Sequence, residues 1–224
     1  EEPKNIIYPD QLNKRMNSVK RIQFQRDYIK KIFSKNNEYD WLIYSDSDEI
    51  PNLENINWEK NEKNIIFFKK KLFYYKFNLT LPNQDWYGSR ACKLKNLESI
   101  SFLRNSKPKK YDWWRLDTIY RKDKHRNVKI VENGGWHFSD LKTAKEILEK
   151  KQNDEHHDEF EKIGFDIDKI EDMVKNNYIP YDHNVDKRDF KKKWINTIKL
   201  INIDEKLLPR YLIKNKSKYQ DWFD

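Results

Sequence analysis

Apolar residues recur at Leu12, Met16, Val19, Ile22, Ile29, Ile32 and Phe33, a helical spacing that predicts a helix over 12–33. Arg26 falls within that stripe. A charge on the inward face of a helix is costly unless it meets an acidic partner or an anionic ligand. Ile6-Ile7-Tyr8, ended by Pro9, reads as a short strand, and Trp41-Leu42-Ile43-Tyr44 as a buried one. Residues 64–68 and 72–75 read as two more strands, with Lys69-Lys70-Lys71 in a turn between them. Residues 82–88 read as a loop around Trp86. Residues 89–94, 119–120 and 128–131 are further candidate strands, and Trp113 and Trp114 fall in a polar, mobile loop. Gly134-Gly135 breaks the chain before Trp136-His137-Phe138-Ser139-Asp140. Beyond it the pattern is helical over 141–151, 155–163, 167–177, 189–200 and 206–215. Strands mixed with helices, followed by helices alone, predict one domain: an α/β core over 1–140 and a helical part over 141–224.

Composition narrows the choices. Charged residues make up 37 % of the 224, but aromatics make up 15 %, with 8 Trp, and that argues against a disordered chain. The formal charge is 46 − 37 = +9. It is uneven: residues 104–126 hold nine Lys or Arg against three Asp, whereas 153–172 hold nine acids against two Lys. The first stretch suits an anion such as a nucleotide diphosphate, and the second suits a solvated helix face. Neither zinc-finger spacing nor an RNA-binding aromatic signature accompanies the basic stretch, so no nucleic-acid partner is expected. No apolar run approaches about 18 residues, so no membrane segment is expected. Glu1-Glu2-Pro3-Lys4 is not a signal peptide. A single cysteine, Cys92, excludes an internal disulfide and a cysteine-built zinc site.

The sharpest local signal is a hydrophobic strand running into Asp46-Ser47-Asp48-Glu49. Carboxylates two apart at a strand's C-terminal end converge on one cation once the chain leaves the pleat, and hard oxygen ligands suit Mg²⁺ or Mn²⁺. That edge of an open α/β sheet is where such folds bind ligands. A calcium loop would need further oxygen ligands and a Gly, a pattern Ile50-Pro51 breaks. An aspartyl-nucleophile phosphatase would carry Thr or Val where Ile50 stands. A nucleotide-sugar transferase fits better.

Other pieces agree. Gln25-Arg26-Asp27-Tyr28-Ile29, the run from Asp40 to Pro51, Trp86-Tyr87-Gly88-Ser89-Arg90, the run from Gly134 to Ser139, and the run from Leu208 to Asn215 occur in one order. In that set the chain resembles glycosyltransferase family 17, whose members include N-acetylglucosaminyltransferases, from about Arg21 to Phe223. The family's first strand–helix unit has no counterpart ahead of the matched part. The resemblance implies a GT-A-like mixed sheet flanked by helices. It also implies a UDP-sugar donor, a Mn²⁺ (or Mg²⁺) ion and inverting transfer of a sugar, GlcNAc by family, to a glycan acceptor. Asp46 and Asp48 inherit the metal and donor role, and His137 the place of a third metal ligand. Family members in eukaryotes sit in the Golgi lumen behind an anchor. With no signal or anchor visible here, the compartment stays open, the cytoplasm being favoured over the Golgi lumen.

The expected reaction is in-line attack of an acceptor hydroxyl on the anomeric carbon. Glu49 and Asp140 are the candidate bases, and Arg26, Arg90 and Lys93 the candidate partners of the leaving phosphate. Asp27 stands either at the donor or beside Arg26 as its neutralising neighbour. Trp86, Trp113, Trp114 and Trp136 are candidate stacking platforms for acceptor sugars. The competing reading is a glycan- or polyanion-binding module on a degenerate GT-A fold, without turnover.

Overall fold

In chain order the helices and strands are α1 (Gln11–Tyr28), β1 (Trp41–Tyr44), β2 (Glu49–Pro51), β3 (Ile65–Phe68), β4 (Lys70–Tyr74), β5 (Leu79–Trp86), β6 (Arg90–Lys93), α2 (Ile100–Asn105) and α3 (Asp117–Tyr120). They continue with β7 (Val128–Val131), β8 (Gly135–Ser139), α4 (Ala144–Asn153), α5 (His157–Ile163), α6 (Ile167–Lys175), β9 (Tyr178–Ile179), β10 (Ile198–Lys199), β11 (Ile201–Asn202) and α7 (Arg210–Lys214). A computed structural model describes residues 11–32, 40–54, 56–121, 123–154, 157–185, 193–194 and 197–224. The strand expected at Ile6-Ile7-Tyr8 and most of the helix expected over 189–200 lie outside them. The described end of that helix holds β10 instead. The α/β class expected from the sequence is what the molecule adopts.

Two compact units share the chain, one of residues up to Lys69 with Tyr87–Gly134, the other of Lys70–Trp86 with Gly135–Asp224. The division therefore falls elsewhere than at residue 140, because β4, β5 and β8 go with the C-terminal helices.

The first unit is built on a four-stranded mixed sheet of order β1-β6-β3-β7. β6 runs antiparallel to both β1 and β3, and β7 runs parallel to β3. Alternation sorts its side chains. Leu42, Ile65, Phe67 and Cys92 face Ile100 and Leu103 of α2, while Ile66, Phe68 and Ala91 face Ile56 and the half-buried Trp41 and Trp58. Gly134 closes this sheet: a Cβ there would meet the Lys69 nitrogen at 2.6 Å and Phe68 backbone at 2.8 Å. The apolar stripe is less covered than its spacing predicts, with Met16 and Ile29 exposed and Asn17 of α1 buried.

In the second unit β4 lies between β5, antiparallel, and β8, parallel, while β11 pairs with the start of β5. One face carries Leu72, Leu79 and Leu81 against Ile147 of α4 and Ile170 and Met173 of α6. The other carries Phe73 and Phe138 against Leu208, Leu212 and Phe223. A capping box of Thr143 and Glu146 starts α4, and Asp166 caps α6.

Three expectations are corrected. Lys70 is not in a turn but inside β4, only 1 % exposed. Residues 82–86 are strand rather than loop: the β4–β5 register shifts between Lys71 and Phe73, and that irregularity accommodates Pro82 and the left-handed Asn83 (φ 56°). Ile119 and Tyr120 end a one-turn helix, α3, held by the Ile119 N–H to Leu116 carbonyl bond of 3.0 Å, rather than forming a strand.

Candidate functional site

At the C-terminal end of β1 the chain turns through Asp46-Ser47-Asp48-Glu49, closed by the Glu49 N–H donating to the Asp46 carbonyl at 3.1 Å. The Asp46 carboxylate is the hub of this end of the sheet. Its Oδ1 accepts from the Tyr44 hydroxyl at 2.5 Å and from Arg26 Nη2 at 3.5 Å. Its Oδ2 accepts from Arg104 Nε and Nη2, both at 3.3 Å. Burial and then the bond to Asp46 push the Tyr44 hydroxyl up to about 12, so it stays a donor. Arg26 thus finds the acidic partner its helix position calls for. That partner is Asp46 and not Asp27, whose Oδ1 instead accepts from the Ser101 N–H of α2 at 2.8 Å. Asp27 and the Ser99 cap together satisfy the first turn of α2 and fix it against α1. This positions Arg26 and Arg104 on either side of Asp46.

Arg104 is the functional candidate that sequence reasoning missed. It lies 58 residues from Asp46, and only the local excess of basic residues from 104 onward marks it.

Arg90 starts β6, pairs with Tyr44 across the ladder and lies over the Phe67 ring at 5.4 Å. It is 95 % buried (5 % exposed), yet its Nε and Nη1 have no hydrogen-bond partner. Burial first, and then the Arg104 charge, pull it down to about 9, against the opposing pull of Glu49 and Asp46. It remains a cation at neutral pH. A buried guanidinium in that state is costly unless an anion completes it.

Glu49 is also buried, and its Oε2 accepts from the Ser89 hydroxyl at 2.8 Å. Gly88 makes room for this carboxylate, since a Cβ there would stand 1.5 Å from Glu49 Oε1. Gly88→Ala is therefore expected to cost about 1–3 kcal/mol, read by urea denaturation, as Glu49 is forced off Ser89. Along the outer edge of β1 lies a cavity of about 430 Å³, with Ile29, Trp41, Leu94 and Ile100 among its walls. Tyr44 and Ser45, which lead into the turn, line it too.

Lys93, Trp113 and Trp114 are not among the hydrogen-bond partners of Asp46. Lys93 is at the far end of β6, its ammonium over the Trp41 ring at 5.8 Å. Trp113 and Trp114 meet edge to face at 6.1 Å on an exposed segment. Asp48 is half-buried in the turn.

The donor set does not fit a divalent cation as it is arranged. A carboxylate offers about four lone-pair sites, and the two guanidinium groups and the phenol fill those of Asp46. A cation beside Asp46 would also face Arg26 and Arg104 at close range. Among the described residues, neither unit gathers three His, Cys, Asp or Glu side chains around one point.

His137, Trp86, Trp136 and Asp140 belong to the second unit. His137 is buried in β8, its ring 4.8 Å from that of Trp86. Trp136 packs on the Phe73–Phe138 face and donates its indole N–H to the Leu207 carbonyl at 2.7 Å, so its ring is committed to the core. Asp140 follows β8 in a left-handed conformation (φ 53°) and is buried. Its Oδ1 accepts from Lys150 at 2.8 Å, and its Oδ2 pairs with Lys151 at 3.2 Å. Burial pushes its carboxyl up, but Lys151 and Lys150 more than offset that and hold it below the usual range. Nearby, the Tyr74 hydroxyl meets the Tyr181 hydroxyl at 2.9 Å and His183 Nε2 at 2.8 Å.

No protein-family model matches the chain, and neither a curated protein nor a solved structure does.

Proposed function

We propose that the protein is a glycosyltransferase on a GT-A-like fold, moving a sugar, GlcNAc by its resemblance, from a UDP-sugar to a glycan hydroxyl. The observation that carries this reading is Arg90: a guanidinium 95 % buried, with two unpartnered nitrogens, near Arg104 and the Asp46 carboxylate that Arg26 also joins. Three guanidinium groups at the carboxyl end of a strand suit a diphosphate, which takes paired N–H donors from arginine. The cavity along β1 is of a size for the nucleoside.

In this reading the arginines neutralise the charge that grows on the departing UDP, a role a metal ion fills elsewhere. No step is routed through a cation, because the Asp46 oxygens are engaged by arginine. The acceptor hydroxyl forms the new bond to the anomeric carbon as the bond to the diphosphate oxygen breaks. UDP leaves with that electron pair. Glu49, set into the arginine cluster, is the better-placed group to take the hydroxyl proton. Asp140, its oxygens held by two lysines, is the weaker base.

Calorimetry with UDP and uridine, in EDTA and then in Mn²⁺, tests the reading. UDP is expected to bind at least about 30-fold more tightly than uridine, with a change of less than about threefold on adding Mn²⁺. Equal affinities for UDP and uridine would refute the diphosphate site. Binding that needs Mn²⁺ would restore the metal role of Asp46 and Asp48. UDP binding without hydrolysis or transfer of UDP-GlcNAc would favour the non-catalytic module.

A further inference from the structure

A concentration of exposed apolar side chains lies on residues 113–120 of the first unit. Trp113 is 78 % exposed and Tyr120 85 %, with Trp114, Leu116 and Ile119 all more than half exposed. Single exposed hydrophobes are ordinary, but five large ones within eight residues are not.

The segment is held in shape by its own charges. Arg115 grips Asp117 through Nε at 3.0 Å and Nη2 at 2.8 Å, and Lys124 closes on the same carboxylate. Arg121 and Lys107 share Asp123. Arg126 ties back to the Arg115 carbonyl at 2.9 Å and the Thr118 hydroxyl at 2.7 Å. Beneath them the buried Tyr111 ring carries Lys109, Arg115 and Lys124 over it at 5.4–5.8 Å. Two of the three aspartates of residues 104–126 are thus spent on internal pairs. Lys109 and Lys110 stay exposed on the same segment, and over residues 107–126 the formal charge is 8 − 3 = +5.

We infer that this segment docks the protein on an anionic lipid bilayer. Trp and Tyr rings suit the headgroup level, where one end is apolar and the other wet. Leu116 and Ile119 have no ring or polar group to offer a sugar, but they gain on entering the acyl boundary. Lys109 and Lys110 meet the lipid phosphates of an anionic surface. The apolar tip supplies depth and the basic collar supplies lipid selectivity. This surface stands independently of the arginine cluster.

The test uses the full chain with vesicles of pure phosphatidylcholine and of phosphatidylcholine mixed with phosphatidylglycerol. Co-sedimentation is expected to be stronger on the anionic vesicles by about tenfold or more, with a blue shift of tryptophan emission and loss in high salt. Trp113→Ala with Trp114→Ala is expected to weaken partitioning by about tenfold. Lys109→Glu with Lys110→Glu should abolish the preference for anionic lipid. All four side chains are exposed, and far-UV circular dichroism confirms that the variants fold. UDP affinity should be unchanged in both variants, so failure here and failure of the transferase reading are distinguishable. No vesicle binding, equal binding to both lipids, or emission that shifts with a chito-oligosaccharide instead of lipid would each overturn the proposal.

Discussion

Arg90→Met is expected to lower UDP affinity by about 100-fold, roughly 2.8 kcal/mol, without loss of stability. The two effects have different origins. Arg90 is buried with two guanidinium nitrogens unpartnered, so the free protein bears the cost of holding a desolvated charge. Met fills a similar volume over Phe67 with no polar atom, and the variant should be as stable as the parent or more so by about 1–3 kcal/mol. The lost affinity comes from the charge-assisted bonds that a diphosphate would make to that guanidinium. Denaturation and titration of the same sample check both halves. A residue that merely supports the sheet would behave oppositely, losing stability and keeping affinity. UDP affinity within about threefold of the parent would remove Arg90 from the site.

A second contrast belongs to the same hub. Asp46→Asn keeps the side-chain shape, turns one of the two accepting oxygens into an amide donor, and withdraws the charge that Arg26 and Arg104 share. If Asp46 only neutralises those arginines in the free protein, UDP binding should strengthen, because the diphosphate no longer competes with it for guanidinium. If Asp46 were a metal ligand, affinity in Mn²⁺ would fall.

What was legible in the sequence follows from range. Trp41–Tyr44 and Ile65–Phe68 announce themselves as strands because each is an apolar run bounded by polar residues, and both are strands. The demand of Arg26 for an anion was readable because helical periodicity is local. The identity of that anion was not, since Asp46 lies 20 residues away and Arg104 reaches it from 58. Lys70 shows the limit from the other side. A lysine triplet reads as a solvated turn, yet β4 buries Lys70 because strand alternation sends its neighbour Lys71 outward. Ile119-Tyr120 misled for a related reason: two strand-forming residues carry little weight against the bond that closes a helical turn. The contacts that decide Asp140 also come from α4, ten and eleven residues on, which motif reading does not weigh.

Asp140→Asn should destabilise the protein by about 3–5 kcal/mol, the cost of taking from Lys150 and Lys151 the buried carboxylate they share. Lys151 is the exposed weakness: burial alone would drive its ammonium down, and Tyr181, Asp140 and Asp154 together hold it well above the usual lysine range. The amide cannot replace that charge. The same neighbourhood sets the acid limit of the fold, and the signs agree. The Asp140 carboxyl is held below its ordinary value, so its stabilisation is present above the unfolded value and is lost as pH falls through the folded one. His183 is pushed down to about 4, by burial first and then by Lys193 and Lys151. It is neutral when folded, so the unfolded chain takes up a proton first as pH drops below about 6.5. Stability therefore falls between about pH 6.5 and 4, by roughly 3 kcal/mol from this histidine alone. Urea denaturation at neutral and acid pH, on the parent, Asp140→Asn and His183→Gln, separates the contributions. His183→Gln should flatten the upper part of the acid slope, and Asp140→Asn should lower stability already at pH 7. An Asp140→Asn protein that unfolds like the parent but no longer transfers sugar would return Asp140 to the role of catalytic base.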